Sequence, residues 1–172
     1  MIRLWFIGCA FLAGLPALAL EPRFDHRDEG GLLLETGITR DSMSPGRGIS
    51  YTSYAPNLRV AYSLDVNGIG DELQLGLASR LGGWGIQTET ASLSLDARWR
   101  GFFGTDEFKT FFDIGCWGPI YPVVSLGVRT GAGAEYDPSR LWGITLAMGV
   151  GIAFGQALIL SIDGTIGLQI RY

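Results

Sequence analysis

Between Trp142 and Phe154 the chain sorts its residues with a strict period of two. Even positions read Trp142, Ile144, Leu146, Met148, Val150, Ile152 and Phe154, whereas the odd positions between them read Gly143, Thr145, Ala147, Gly149, Gly151 and Ala153. Successive side chains of an extended strand point to opposite faces, so this order gives one bulky apolar face and one small face. The competing reading is a membrane helix, because Leu141 to Ile162 contains no charge, which a hydropathy window would score as a span. On a helix, however, the bulky residues would be smeared around the whole circumference. The alternation therefore argues for strands.

The same pattern resumes after Gly155-Gln156-Ala157. Leu158, Leu160, Ile162, Ile166, Leu168, Ile170 and Tyr172 share one face, and Ile159, Ser161, Asp163, Thr165, Gly167, Gln169 and Arg171 share the other. Upstream, weaker copies run over 32–39, 58–66, 72–78, 93–100, 108–115 and 124–129, which makes eight strands in all. The joints carry turn chemistry. Asn67-Gly68 suits a two-residue hairpin with positive φ at both central positions, and Gly104-Thr105-Asp106 and Tyr136-Asp137-Pro138-Ser139 are further turn signals. The 26 glycines among 172 residues argue against a helical bundle, since each weakens a helix interior by ~1 kcal/mol.

The first residues have a different organisation. Arg3 precedes an apolar run from Leu4 to Leu15, and Pro16-Ala17-Leu18-Ala19 follows it. This is the pattern of a secretory signal peptide with an A-x-A cleavage site. It predicts a signal peptide over 1–19, a charged periplasmic lead-in over 20–30 and a barrel over 31–172. Removal of Cys9 with the signal leaves Cys116 alone, so no intrachain disulfide is expected. The net charge of −4 and the lack of a basic stripe exclude a nucleic-acid partner on composition.

Alternation also occurs in soluble ligand-binding barrels, whose apolar face points inward. The size distribution separates the two cases. Eight strands enclose an interior only wide enough for packed side chains. Here the apolar face is uniformly bulky, and the other is rich in Gly, Ala, Ser and Thr with isolated charges. The bulky face suits lipid and the small face a narrow polar lumen. Trp99, Phe103, Phe108, Trp142, Phe154 and Tyr172 fall near strand ends, where interfacial girdles belong. Lipid offers no hydrogen bonds, so a strand immersed in it must pair on both edges, which requires a closed all-β, antiparallel, up-and-down barrel.

In these features the chain resembles the small eight-stranded outer-membrane β-barrels of Gram-negative bacteria, of the kind seen in the transmembrane domain of outer membrane protein A. Its last residues are similar to the C-terminal recognition signal of such proteins, with Thr165, Gly167, Ile170 and Tyr172 in the four defined places. The resemblance implies that the barrel assembly machinery reads this strand, and that outer-membrane lipid and lipopolysaccharide surround the wall. An even strand number puts both termini in the periplasm. Thr39 to Asn57, Leu81 to Thr90, Cys116 to Pro122 and Gln156 are then expected as external connections, and Asn67-Gly68, Gly104 to Glu107 and Glu135 to Arg140 as periplasmic turns.

The inward face should carry Glu35, Arg59, Asp65, Glu72, Gln74, Asp96, Arg98, Arg100, Asp113, Arg129, Asp163, Gln169 and Arg171 as a polar lumen network, because confined charges must pair. No catalytic residue is expected. Barrels of this size that resemble lipid A deacylases or palmitoyl transferases use Ser and His, but the one histidine here, His26, lies in the lead-in, and a general base is missing from the strands. No pair of His or Cys ligands indicates a metal, and no motif indicates a cofactor. The expected role is structural or surface-interacting, with no particular surface partner indicated. A narrow channel or porter, and a soluble exported ligand-binding barrel, stand as alternatives.

Overall fold

The computed structural model describes residues 30–45, 51–66, 71–82, 84–85, 91–104 and 107–172. The proposed signal peptide, most of the lead-in and the Asn67-Gly68 turn lie outside the described residues. Eight long strands and one two-residue piece follow in order: β1 (Gly31–Pro45), β2 (Tyr51–Asp65), β3 (Glu72–Arg80), β4 (Trp84–Gly85), β5 (Ser92–Gly104), β6 (Phe108–Tyr121), β7 (Ser125–Ser139), β8 (Trp142–Gly155) and β9 (Ala157–Arg171). The uncharged 141–162 segment forms β8 and the start of β9, as far as Ile162.

All pairings are antiparallel. Each long strand pairs with its neighbours in sequence, β4 adds a short pairing to β2 at Ser53 and Tyr54, and β1 pairs with both β2 and β9. The sheet is therefore a closed barrel. Its stagger can be read from the register. Crossing the wall from Ser42 leads in turn to Leu160, Ile152, Val128, Cys116, Ala97, Leu75 and Tyr62, and returns to β1 at Leu32. One circuit therefore slips ten residues along β1. For eight strands that stagger corresponds to a tilt of about 40° and an interior filled by side chains.

Several expected loop boundaries are corrected. Thr39 to Asn57 is mostly ladder, because β1 continues to Pro45 and β2 begins at Tyr51. Cys116 to Pro122 belongs to β6 as far as Tyr121, and Glu135 to Arg140 belongs to β7 as far as Ser139, leaving Arg140 and Leu141 as the turn. Backbone ladders do not require apolar side chains, so the strands run on past the ends of their greasy stretches. At the β5–β6 connection Gly104 has a φ of +125°, and an added Cβ would lie 2.7 Å from the Phe108 carbonyl oxygen. That conformation and that contact both select glycine.

The bulky face points outward along every long strand. Met148 is 70% exposed, Leu126 68% and Leu146 63%, whereas Ala147, between Leu146 and Met148, and Ala153 further along β8 are buried. A soluble barrel with those residues inside is thereby corrected. Near the end that carries both Gly31 and Tyr172, Phe103, Phe108, Tyr136 and Trp142 face outward from β5 to β8, as does Tyr172 just after β9. On the same wall Trp99 and Phe112 meet edge-on at 5.1 Å and cover Gly101.

Candidate functional site: the lumen

The lumen is filled by charges that alternation aims inward. On β2 Arg59 donates from Nη1 to Glu35 Oε2 on β1 (2.7 Å), and it holds Asp96 on β5 with two bonds, Nη2 to Oδ1 at 2.7 Å and Nε to Oδ2 at 3.0 Å. Arg98, two residues along β5, shares that carboxylate through Nε at 3.0 Å. Across the barrel, Arg129 on β7 bridges Asp113 on β6 (2.9 Å) and Asp163 on β9 (2.5 Å). Arg100 sits between the two clusters, 3.7 Å from Glu35 and 3.6 Å from Asp113, with its guanidinium 3.8 Å from the Phe111 ring centroid. Such forked pairs combine charge with fixed geometry.

Two further clusters lie toward the ends. At the terminal end, Lys109, the chain's one lysine, is fully buried against Asp137 and 3.5 Å from Glu135, and Arg171 pairs with the same two carboxylates. Glu72 accepts from Gln74 Nε2 at 3.1 Å and Gln169 Nε2 at 2.9 Å. At the opposite end Arg80 pairs with Asp41 and donates to Ser161 Oγ at 3.2 Å. Arg80 also lies over Trp117, 5.7 Å from its ring centroid.

The small residues of the inward face make this possible. A Cβ on Gly76 would lie 2.7 Å from Arg59 Nε, and one on Gly149 would overlap the Arg129 guanidinium. These glycines are the space into which long side chains from other strands extend.

The expected inward residues are placed as follows. Glu35, Arg59, Glu72, Gln74, Asp96, Arg98, Arg100, Asp113, Arg129, Gln169 and Arg171 are buried in the lumen, and Asp163 is half-buried against Arg129. Asp65 is half-buried near the terminal end, opposite Glu72 in the ladder. Of the four residues at the chain end, Thr165 and Gly167 face the lumen, and Ile170 and Tyr172 face outward. Sequence reasoning missed Asp41, Arg80, Lys109, Glu135 and Asp137 as lumen residues. Asp41, Glu135 and Asp137 fall within the expected connections. Lys109 stood on the Asp113 face, so its parity could have found it.

The interior also has apolar plugs that an entirely polar lumen does not anticipate. Phe102 and Phe111 pack edge-on at 5.6 Å above Lys109, and Trp117 packs with Ala153, Ala157 and Ile159 at the other end. Between the plugs a polar cavity of about 30 Å³ is lined by Glu35, Asn57, Arg59, Arg98, Trp117 and Arg129, among others. It has room for about two waters.

A closed, tilted, eight-stranded wall with an apolar outside and an ion-paired inside is the fold of the small outer-membrane β-barrels. Comparison with solved structures gives the same architecture. Neisserial surface protein A is similar with a TM-score of 0.60 at 12% identity, over 84% of this chain and 100% of that one. The N-terminal β-barrel domain of Pseudomonas aeruginosa OprF gives 0.54 at 9% identity, over 80% and 97%. The outer membrane protein OprG from Pseudomonas aeruginosa gives 0.53 at 10%, over 85% and 97%. At such identities the likeness is one of fold alone. No family model matches the chain, and no curated protein matches it.

Proposed function

We propose that this protein is an outer-membrane barrel with a closed, non-conducting lumen, a rigid wall-spanning scaffold that presents its connections at the cell surface. The observation that carries this reading is the run of ion pairs from the half-buried Arg80–Asp41 at one end, through the buried Arg59 and Arg129, to the buried Lys109 and Arg171 at the other. Each end is backed by an aromatic plug. In this reading the terminal end faces the periplasm, the wall is surrounded by lipid and lipopolysaccharide, and the barrel assembly machinery reads Thr165, Gly167, Ile170 and Tyr172. The reading includes no catalytic step.

A narrow channel is the second reading, favoured by the polar cavity among Arg59, Arg98 and Arg129. Planar-bilayer recording of the purified protein decides between them. The scaffold reading expects no stable conductance steps above the lipid baseline. Reproducible steps whose size changes in Arg98→Ala would overturn it in favour of a channel.

A further inference from the structure

The inward charges have a counterpart outside. Among the described residues, Arg40 is the only Asp, Glu, Lys or Arg that a strand turns toward the outer wall. On β1 it follows Leu32, Leu34, Thr36 and Ile38 on the outward face and precedes Ser42 and Ser44. Its partners across the ladder are Tyr54 on β2 and Ile162 on β9. One outward position further up, the Ser42 and Thr52 hydroxyls are bonded to each other at 3.2 Å.

The register fixes the depth of this residue. With a tilt of about 40°, each residue climbs about 2.5 Å along the barrel axis. Arg40 therefore lies roughly 20 Å above Leu32, which is itself near the terminal end. This places it at the top of a band of about 25 Å, the height of a barrel's apolar belt. That level is where lipid phosphates lie. Arg40 is exposed, and no described carboxylate pairs with it, unlike the lumen arginines described above. A guanidinium fork matches a phosphate with two parallel hydrogen bonds.

We propose that Arg40, with Tyr54 beside it, is a docking site for the phosphate of an outer-leaflet lipid. The inference rests on the reading above, which turns this end of the barrel away from the periplasm. It adds a fixed, headgroup-selective contact to a wall whose described strands otherwise turn no charge outward. An arginine that merely extends into water would show no such preference.

The test uses the full chain folded in a neutral detergent and lipid binding measured by native mass spectrometry. The probes are diphosphoryl lipid A, lipid A with both phosphates removed, and inorganic phosphate as competitor. The proposal expects Arg40→Gln to bind diphosphoryl lipid A about ten-fold more weakly than the unaltered chain. The two should bind the dephosphorylated lipid equally. Arg140→Gln, in the turn at the other rim, should behave like the unaltered chain, and millimolar inorganic phosphate should not displace the lipid. Equal binding of diphosphoryl lipid A by Arg40→Gln, or full displacement by inorganic phosphate, would overturn the proposal. Heat-modifiable gel migration checks that each variant is a folded barrel. A folded, non-conducting barrel without phosphate selection would therefore sink this inference while leaving the scaffold reading in place.

Discussion

Arg59 shows how single residues hold the interior. It touches Glu35 and both oxygens of Asp96, all nearly free of solvent, so the three charges are stable only together. Removing one partner of a buried pair leaves the others uncompensated and typically costs about 3–5 kcal/mol. Arg59→Leu is therefore expected to destabilise the barrel by roughly that amount, read as a lower urea midpoint for unfolding from lipid vesicles. Arg59→Leu combined with Glu35→Leu and Asp96→Leu should recover part of the loss, because the penalty is for unpaired charge and not for the arginine itself. If Arg59→Leu unfolds at the same urea concentration as the unaltered chain, the network is not structural. The glycines belong to the same scale, since Gly149 is small because Arg129 occupies the space a side chain would fill.

At the scale of the strand, β8 carries the clearest division of labour. Its outward residues are all apolar and its inward ones all small. Met148 lies in the middle of the strand with 70% of its surface exposed. Arginine at the bilayer midplane of such a barrel costs about 2–4 kcal/mol, so Met148→Arg should lower the unfolding midpoint in vesicles accordingly, and to a smaller extent in detergent micelles. An unchanged midpoint in vesicles would show that this face does not meet hydrocarbon.

The strands also show what could be read in advance and what could not. Alternation revealed all eight long strands and the parity of most lumen residues, because burial of one face imposes a period of two. The strand ends were hidden. Asp41, Ser42 and Thr52 sit beyond the apolar belt, where the ladder continues but no longer needs greasy side chains. Asp137 and Glu135 were hidden for the same reason, lying in a stretch with the composition of a turn that nevertheless pairs. The plugs were hidden differently. Phe102 and Trp117 fall just beyond the stretches where alternation is clear, and composition does not distinguish a girdle facing lipid from a stopper facing inward.

For the whole molecule, closure links these details. Eight strands staggered by ten residues leave a bore that side chains fill, so the inner face must pair its own charges while the outer face makes its contacts with the membrane. Among the described strand residues Arg40 is the charged exception on the outer face, and the aromatic plugs are the exceptions on the inner one.

The central claim is this assignment of faces, and it can be measured directly. With Cys116 replaced by serine, single spin labels at positions 144 to 148, 150, 152 and 153 of β8 in lipid vesicles would be tested for collision with dissolved oxygen and with a water-soluble nickel chelate. The account predicts a period of two, with oxygen collisions high at 144, 146, 148, 150 and 152 and low at 145, 147 and 153. A flat profile, a period near 3.6, or high nickel accessibility at the even positions would contradict it.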